Sequence, residues 1–262
     1  MKPFSFDSVL QKDRLIVAGG LTAIVLVAWW YMWHEAQAMG HTGVCRCLGM
    51  KMGGPDTQPW SASELLPLFL MWAEMMVAMM VPSVAPTVLT FALVTRKRQE
   101  QERPYVPAAV FLAGYLAVWT AFSALAALSQ WMLHSLALVS PAMVTTSPIL
   151  GAVLLICAGA FQFVGFKGRC LDQCRSPLTF LLSNWKEGWE GAFLMGIKHG
   201  AACTGCCWLL MLLLFVAGVM NIWWVAAISL FVLVEKLGLP VKKWAGIALL
   251  VWGLLLLLKP LI

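Results

Sequence analysis

Residues 66–95 read LPLFLMWAEMMVAMMVPSVAPTVLTFALVT, an apolar run whose one ionisable side chain is Glu74. As a helix, about thirty residues rise roughly 45 Å. A hydrocarbon core roughly 30 Å thick needs about twenty apolar residues to cross it. Backbone polar groups in lipid must be satisfied within the segment, so an isolated apolar run of this length is a helix. Pro82 and Pro86 each lack an N–H, which predicts a kink or break in the second half.

Further apolar runs flank it at 15–34, 105–133, 147–167, 191–218, 222–238 and 243–260. The expected fold is therefore all-α: a polytopic transmembrane bundle of seven spans forming one membrane domain, 1–262. Composition agrees, since 61% of the chain is hydrophobic and only 11% charged, against about 25% charged in a soluble domain. The 14 Trp residues suit membrane interfaces. Leu239, Pro240, Val241 and Lys242 leave room only for a tight turn between the last two spans. The first run is basic and then apolar, and Ala36-Gln37-Ala38 resembles a signal-peptidase site. The run exceeds the usual h-region of about 7–15 residues, so a retained helix is expected.

The formal charge of +6 is not one patch. The cations flank apolar runs, which excludes a nucleic-acid partner and instead sets orientation. Lys2, Lys12 and Arg14 precede the first run; Arg96, Lys97, Arg98 and Arg103 follow the second. Lys167, Arg169, Arg175 and Lys186 lie between the fourth and fifth, and Lys242 and Lys243 between the last two. The intervening connections carry few cations. Alternate basic loops place the N-terminus in the cytoplasm, of a bacterial inner membrane if the host is Gram-negative. Segment 35–64 is then an outer loop and 168–190 a cytoplasmic one.

The chemistry-bearing residues are soft donors. In the fifth run, His199, Cys203, Cys206 and Cys207 fall at roughly 0°, 40°, −20° and 80° around a helix, one arc near 100° wide. Imidazole and thiolate together suit copper(I), with zinc as the other candidate. In the second run, Met71, Met75 and Met79 form one stripe and Met76 and Met80 the next. Met stripes commonly serve as adaptable packing, but facing the His/Cys arc Met75, Met76, Met79 and Met80 are candidate thioether ligands of a soft monovalent ion. Equal depths would set Met71 level with Cys206, Met76 near Cys203, and Met79 and Met80 near His199. Glu74 lies roughly 150° from the Met face, with Lys198 and Lys236 as candidate partners, because an intramembrane carboxylate is costly alone. Ala192 and Gly196 continue the His/Cys face and admit close approach of a neighbouring helix.

The outer loop holds His34, Met39, His41, Cys45, Cys47, Met50 and Met52. Cys45 and Cys47 are too close for an easy mutual disulfide. They can chelate a metal or bridge elsewhere. Cys170 and Cys174 in the inner segment share a face at i, i+4 if helical, and cytoplasmic thiols stay reduced, so a metal-ligand pair or redox pair is expected before a structural disulfide. Arg175 beside them favours thiolate. His134 and Cys157 read as structural. There is no Gly-rich phosphate loop, Ser-His-Asp arrangement, HExxH motif or c-type haem site, so a binding or transport protein is expected before an enzyme.

MWAEMMVAMMVPSVAP at 71–86, CLDQCRSPLTF at 170–180, HGAACTGCCWLLM at 199–211 and GVMNIWW at 218–224, followed by Glu235-Lys236, resemble the bacterial family of predicted metal-binding integral membrane proteins (domain-of-unknown-function family 2182) over roughly 65–240. In that family a Tyr-Gln pair precedes the inner Cys motif; here Phe161-Gln162 stands there, and Val164-Gly165 where Thr-Pro is usual. The resemblance implies a membrane bundle and a metal ligand set. The leading expectation is a membrane protein that binds copper(I) for transport or delivery to a membrane or periplasmic protein partner. The alternatives are a membrane thiol–disulfide oxidoreductase using the same cysteines, and a non-catalytic subunit of a larger membrane complex.

Overall fold

The computed structural model describes residues 6–42, 44–45, 50–51, 62–99, 105–135, 147–219 and 221–258. They form α1 (Phe6–Thr42), α2 (Leu65–Gln99), α3 (Ala108–Ser135), α4 (Pro148–Phe161), α5 (Gly165–Arg175), α6 (Pro177–Asn184), α7 (Gly188–Leu212), α8 (Leu214–Ala217), α9 (Ile222–Lys236) and α10 (Lys242–Leu258). The strands described are the short pair Val44–Cys45 and Met50–Lys51, paired antiparallel. The all-α expectation holds.

A helix lies at each of the seven expected positions. Four are long and apolar enough to cross a membrane, and five if the α4–α5 pair, bent by 66°, counts as one. At 15 and 17 residues, α9 and α10 rise only about 22 and 25 Å, so length alone does not make them spans. The expected loop 168–190 is in fact largely helical. Phe161–Val164 turn the chain, and α5 and α6 fold back so that α5 packs on α7 and α6 touches α2. Leu171, Cys174, Phe180 and Leu181 are buried there. Burial of those side chains where α5 packs on α7 and α6 on α2, together with helix-starting Pro177, explains why the segment folds.

The core runs through α2, α3 and α7, with α1 along α2 and α10 along α4. Two glycines bring α3 and α7 into backbone contact. A Cβ on Gly114 would lie 2.1 Å from the Phe193 carbonyl oxygen, and one on Gly196 would lie 2.1 Å from that of Phe111. Small residues at such a seam let helix backbones approach as larger ones cannot.

In α2, Pro82 leaves the Ala78 carbonyl without its i+4 donor. The Trp29 indole Nε1–H donates to that oxygen at 3.1 Å, and the next two carbonyls accept side-chain hydroxyls, Ser229 onto Met79 at 3.4 Å and Tyr115 onto Met80 at 3.3 Å. The proline region of α2 is thus held by α1, α3 and α9 together.

Gly196→Ala is expected to lower stability by about 2 kcal/mol, because backbone must move to admit the methyl. Gly20→Ala, with nothing within 4 Å of its Cβ position, should be neutral or slightly stabilising. Thermal unfolding of both variants in detergent checks this, and equal effects would contradict the close-approach argument.

Candidate metal centre

The His/Cys arc of α7 faces inward: His199, Cys203, Cys206 and Cys207 are all 1% exposed or less. Cys206 and Cys207 turn their thiols back along their own helix, donating to the Cys203 carbonyl at 3.0 and 3.1 Å. Cys174 of α5, a helix packed on α7, is buried close to Cys203. Cys174 also reaches Cys206. Cys170, one turn earlier, is half-buried, its sulfur 3.1 Å from the point where Gly205 would carry a Cβ. The fold-back of α5 therefore carries the inner thiol pair to the α7 thiols, which sequence spacing gave no means of placing. Cys157 is exposed on α4, and His134 is buried near the end of α3.

Two groups unassigned to the site by sequence complete the surroundings of Cys203. The Lys236 ammonium donates to Cys203 Sγ at 2.8 Å and to Ser83 Oγ at 2.8 Å. The Tyr115 hydroxyl lies 3.1 Å from the same sulfur. One sulfur thus joins α2, α3, α7 and α9. Just beyond it, Glu235 forms a buried ion pair with Lys167 of α5 at 2.8 Å, and Lys167 also donates to Gln162. Arg175 Nε–H donates to the Glu235 carbonyl at 3.0 Å. The last turn of α9 therefore fixes α5 through one residue and α7 through the next. The signals for this were the adjacent opposite charges Glu235-Lys236 closing an apolar helix, and Lys167 in the opposing segment.

His199 lies one turn from Cys203. Its Nε2 is 3.4 Å from Thr87 Oγ1, and its ring sits among Phe111, Tyr115 and Phe180, the last at 4.8 Å between centroids. Its Nδ1 is buried with no hydrogen-bond partner among the described residues.

The depth register differs from the equal-depth expectation. Thr87 lies opposite His199 and Ser83 joins Cys203 through Lys236, while the tilted rings of Trp72 and Phe215 meet at 5.4 Å between centroids. Antiparallel continuation sets Met79 and Met80 level with Cys207 and Cys206. Met75 and Met76 lie about one turn further along. The shift from the expected pairing is roughly eight residues, or ~12 Å of helix. Its cause is the 35-residue length of α2, which overhangs any bilayer core and so does not define its own centre. Met75, Met76, Met79 and Met80 are all 2% exposed or less.

Glu74 meets neither expected lysine. Lys236 is engaged at Cys203, and Lys198 is exposed beside Asn184. Glu74 instead faces a cavity of about 110 Å³ lined with Tyr31, Met32, Glu35, Met71 and Met75 among others. The remaining expected ligands, His41, Cys45 and Cys47, have side chains outside the described residues.

The donor set suits a soft ion. Thiols cluster, thioethers lie level with them, and oxygen ligands are scarce, which favours copper(I) over magnesium or calcium. Among the described residues no three His, Cys, Asp or Glu donors already surround one ion position, consistent with Cys206 and Cys207 being turned into the Cys203 carbonyl. Over residues 69–256 the chain matches the family model PpoB2, described as copper chaperone. The chain belongs to that family. No curated protein and no solved structure matches it. Copper is accordingly the ion against which this PpoB2-family site is read.

Lys167→Met leaves the Glu235 carboxylate buried and unpaired, and should cost about 3–5 kcal/mol. The double variant Lys167→Met/Glu235→Leu should recover most of that loss. Unfolding midpoints of the two variants measure it, and a double variant no better than the single one would refute the pairing.

Proposed function

We propose that this chain is a multi-pass membrane protein that binds copper(I) and delivers it to a membrane enzyme or periplasmic protein partner. The observation that carries the proposal is the packing of α5 on α7, which buries Cys174 close to Cys203 and Cys206 and so brings thiols of two helices together in an apolar interior. Membership of a copper-chaperone family supplies the ion. Thiolate and thioether ligands favour copper(I), and zinc is the competing cargo.

Seven spans with a cytoplasmic N-terminus, in a bacterial inner membrane, is the arrangement favoured by the alternating basic connections. The contact of Arg98, at the end of α2, with Glu187 and Trp185 before α7 supports it by gathering two basic connections at one end of the bundle. In that frame α5, α6 and the thiol cluster lie toward the cytoplasm and the Glu35/Glu74 cavity toward the outside. Copper is held by Cys203 with Cys174, Cys206 or Cys207. Met79 and Met80 stand beside that set, and Met75 and Met76 continue from it toward the cavity. His199 supplies a neutral donor one turn away, and Cys170 a further thiol at the edge. His41, Cys45 and Cys47 are assigned as the outer capture or release ligands.

The test is elemental analysis with copper(I) competition on purified protein, comparing wild type with Cys174→Ser and with the triple Cys203→Ser/Cys206→Ser/Cys207→Ser variant. Wild type should hold copper that both variants lose in large part. Equal, substoichiometric copper in all three would defeat the proposal. Redox-dependent alkylation of these thiols that ignores copper would favour thiol–disulfide exchange.

A further inference from the structure

We infer that Lys236 sets the charge selectivity of the thiol cluster, admitting a soft monovalent cation and rejecting soft divalent ones. The inference rests on the copper reading above and adds to it the residue that discriminates copper(I) from zinc.

The argument begins with how Lys236 is held. Its ammonium bridges Ser83 of α2 and Cys203 of α7, each at 2.8 Å, and the residue is 7% exposed. Its neighbour Glu235 is turned to α5 and paired with Lys167, as successive helix positions point about 100° apart. Among the described residues Lys236 has no carboxylate within ion-pair distance. Its positive charge is answered by sulfur.

That charge then enters the balance at the metal. Thiols bind metals as thiolates, and uncompensated charge in an apolar interior is strongly disfavoured. With one ammonium fixed in place, two thiolates neutralise the lysine and a monovalent ion together. A divalent ion requires a third thiolate in the same volume. Repulsion between ammonium and metal also doubles with the metal's charge. Met80, whose Sδ lies 4.0 Å from the Ser83 hydroxyl that Lys236 also holds, offers a donor without adding charge, which suits the shell of a monovalent ion and does nothing for the balance of a divalent one. Softness alone would not discriminate, because cadmium(II) is as thiophilic as silver(I); the lysine separates them by charge.

The experiment loads full-length protein in detergent with silver(I), cadmium(II) or zinc(II), in a Cys45→Ser/Cys47→Ser background that removes the loop thiols from the comparison. Bound metal is read by mass spectrometry and affinity by competition with a chelator. Silver(I) should bind at least about tenfold tighter than cadmium(II) or zinc(II). Lys236→Met should narrow that gap by about tenfold or more, chiefly by gaining cadmium(II), while Lys236→Arg, which keeps the charge, should preserve it. A purely structural role would weaken all metals alike. Wild-type protein binding cadmium(II) as tightly as silver(I) overturns the inference, and so does an unchanged gap in folded Lys236→Met. The first comparison needs no variant, so misfolding of Lys236→Met leaves it decisive. Failure to bind copper(I) or silver(I) at all instead overturns the copper reading itself.

Discussion

Among the described residues two lysines are buried, Lys167 and Lys236, and each has to meet an anion or strong acceptor because an apolar interior does not solvate its charge. Lys167 finds Glu235, and Lys236 finds Cys203 and Ser83. Since Glu235 and Lys236 are consecutive, one turn of α9 has to sit where α2, α5 and α7 converge. That constraint explains the placement of Cys174. Helix α5 is short and mostly polar on its outer face, with little apolar surface of its own to hold it against α7. The ion pair at Lys167 and the Arg175 contact to the α9 backbone anchor it at both ends, so its thiol arrives beside Cys203 in a defined position.

The same junction is supported from the other side by defects in α2. A proline in a helix interior costs several kcal/mol where the freed carbonyl finds no donor. Here the carbonyls of Ala78, Met79 and Met80 accept from Trp29, Ser229 and Tyr115, residues of three different helices. Tyr115 then also touches the Cys203 sulfur, which it reaches because Gly114 and Gly196 let α3 lie against α7. Pro82 thus frees the Ala78 carbonyl within an unbroken α2, and of the donors gathered along this stretch Tyr115 also reaches the sulfur. The packing of the bundle and the geometry of the site are one set of contacts.

How much of this the sequence disclosed depends on whether the information was local. The helices were legible from apolar length, and the inward His199–Cys203–Cys206–Cys207 arc from helical period, because both depend on a single segment. The approach of another helix at Gly196 was legible for the same reason. The depth register between α2 and α7 was not. Estimating it required knowing where each helix is centred, and the overhanging α2 carries no internal mark of its midpoint. The fold-back of α5 was hidden because its polar composition reads as a loop; what folds it are long-range partners, Glu235 and the α7 thiols, whose proximity no spacing reveals. Lys236 was visible as an anomaly but was matched to the wrong partner: a carboxylate is the ordinary mate of a buried ammonium, and here a thiol takes that place.

The orientation of the thiols bears on how an ion enters. Cys206 and Cys207 donate to the Cys203 carbonyl three and four positions back, the local contact that a helical side chain makes when no stronger partner is offered. Each such bond contributes only about 1 kcal/mol net, small beside the ~10–16 kcal/mol with which a complete structural zinc site, all its ligands together, holds its metal. On the copper reading these two sulfurs would exchange a weak local contact for the ion. The Cys203 sulfur is different. It is held by an ammonium and a phenol from two other helices, so it is the stationary member of the set, and the ion has to come to it. If the chain delivers copper as proposed, a site of one sulfur held by other helices and two resting on a backbone carbonyl would differ from a cage of four fixed thiolates in having ligands with an alternative partner to return to.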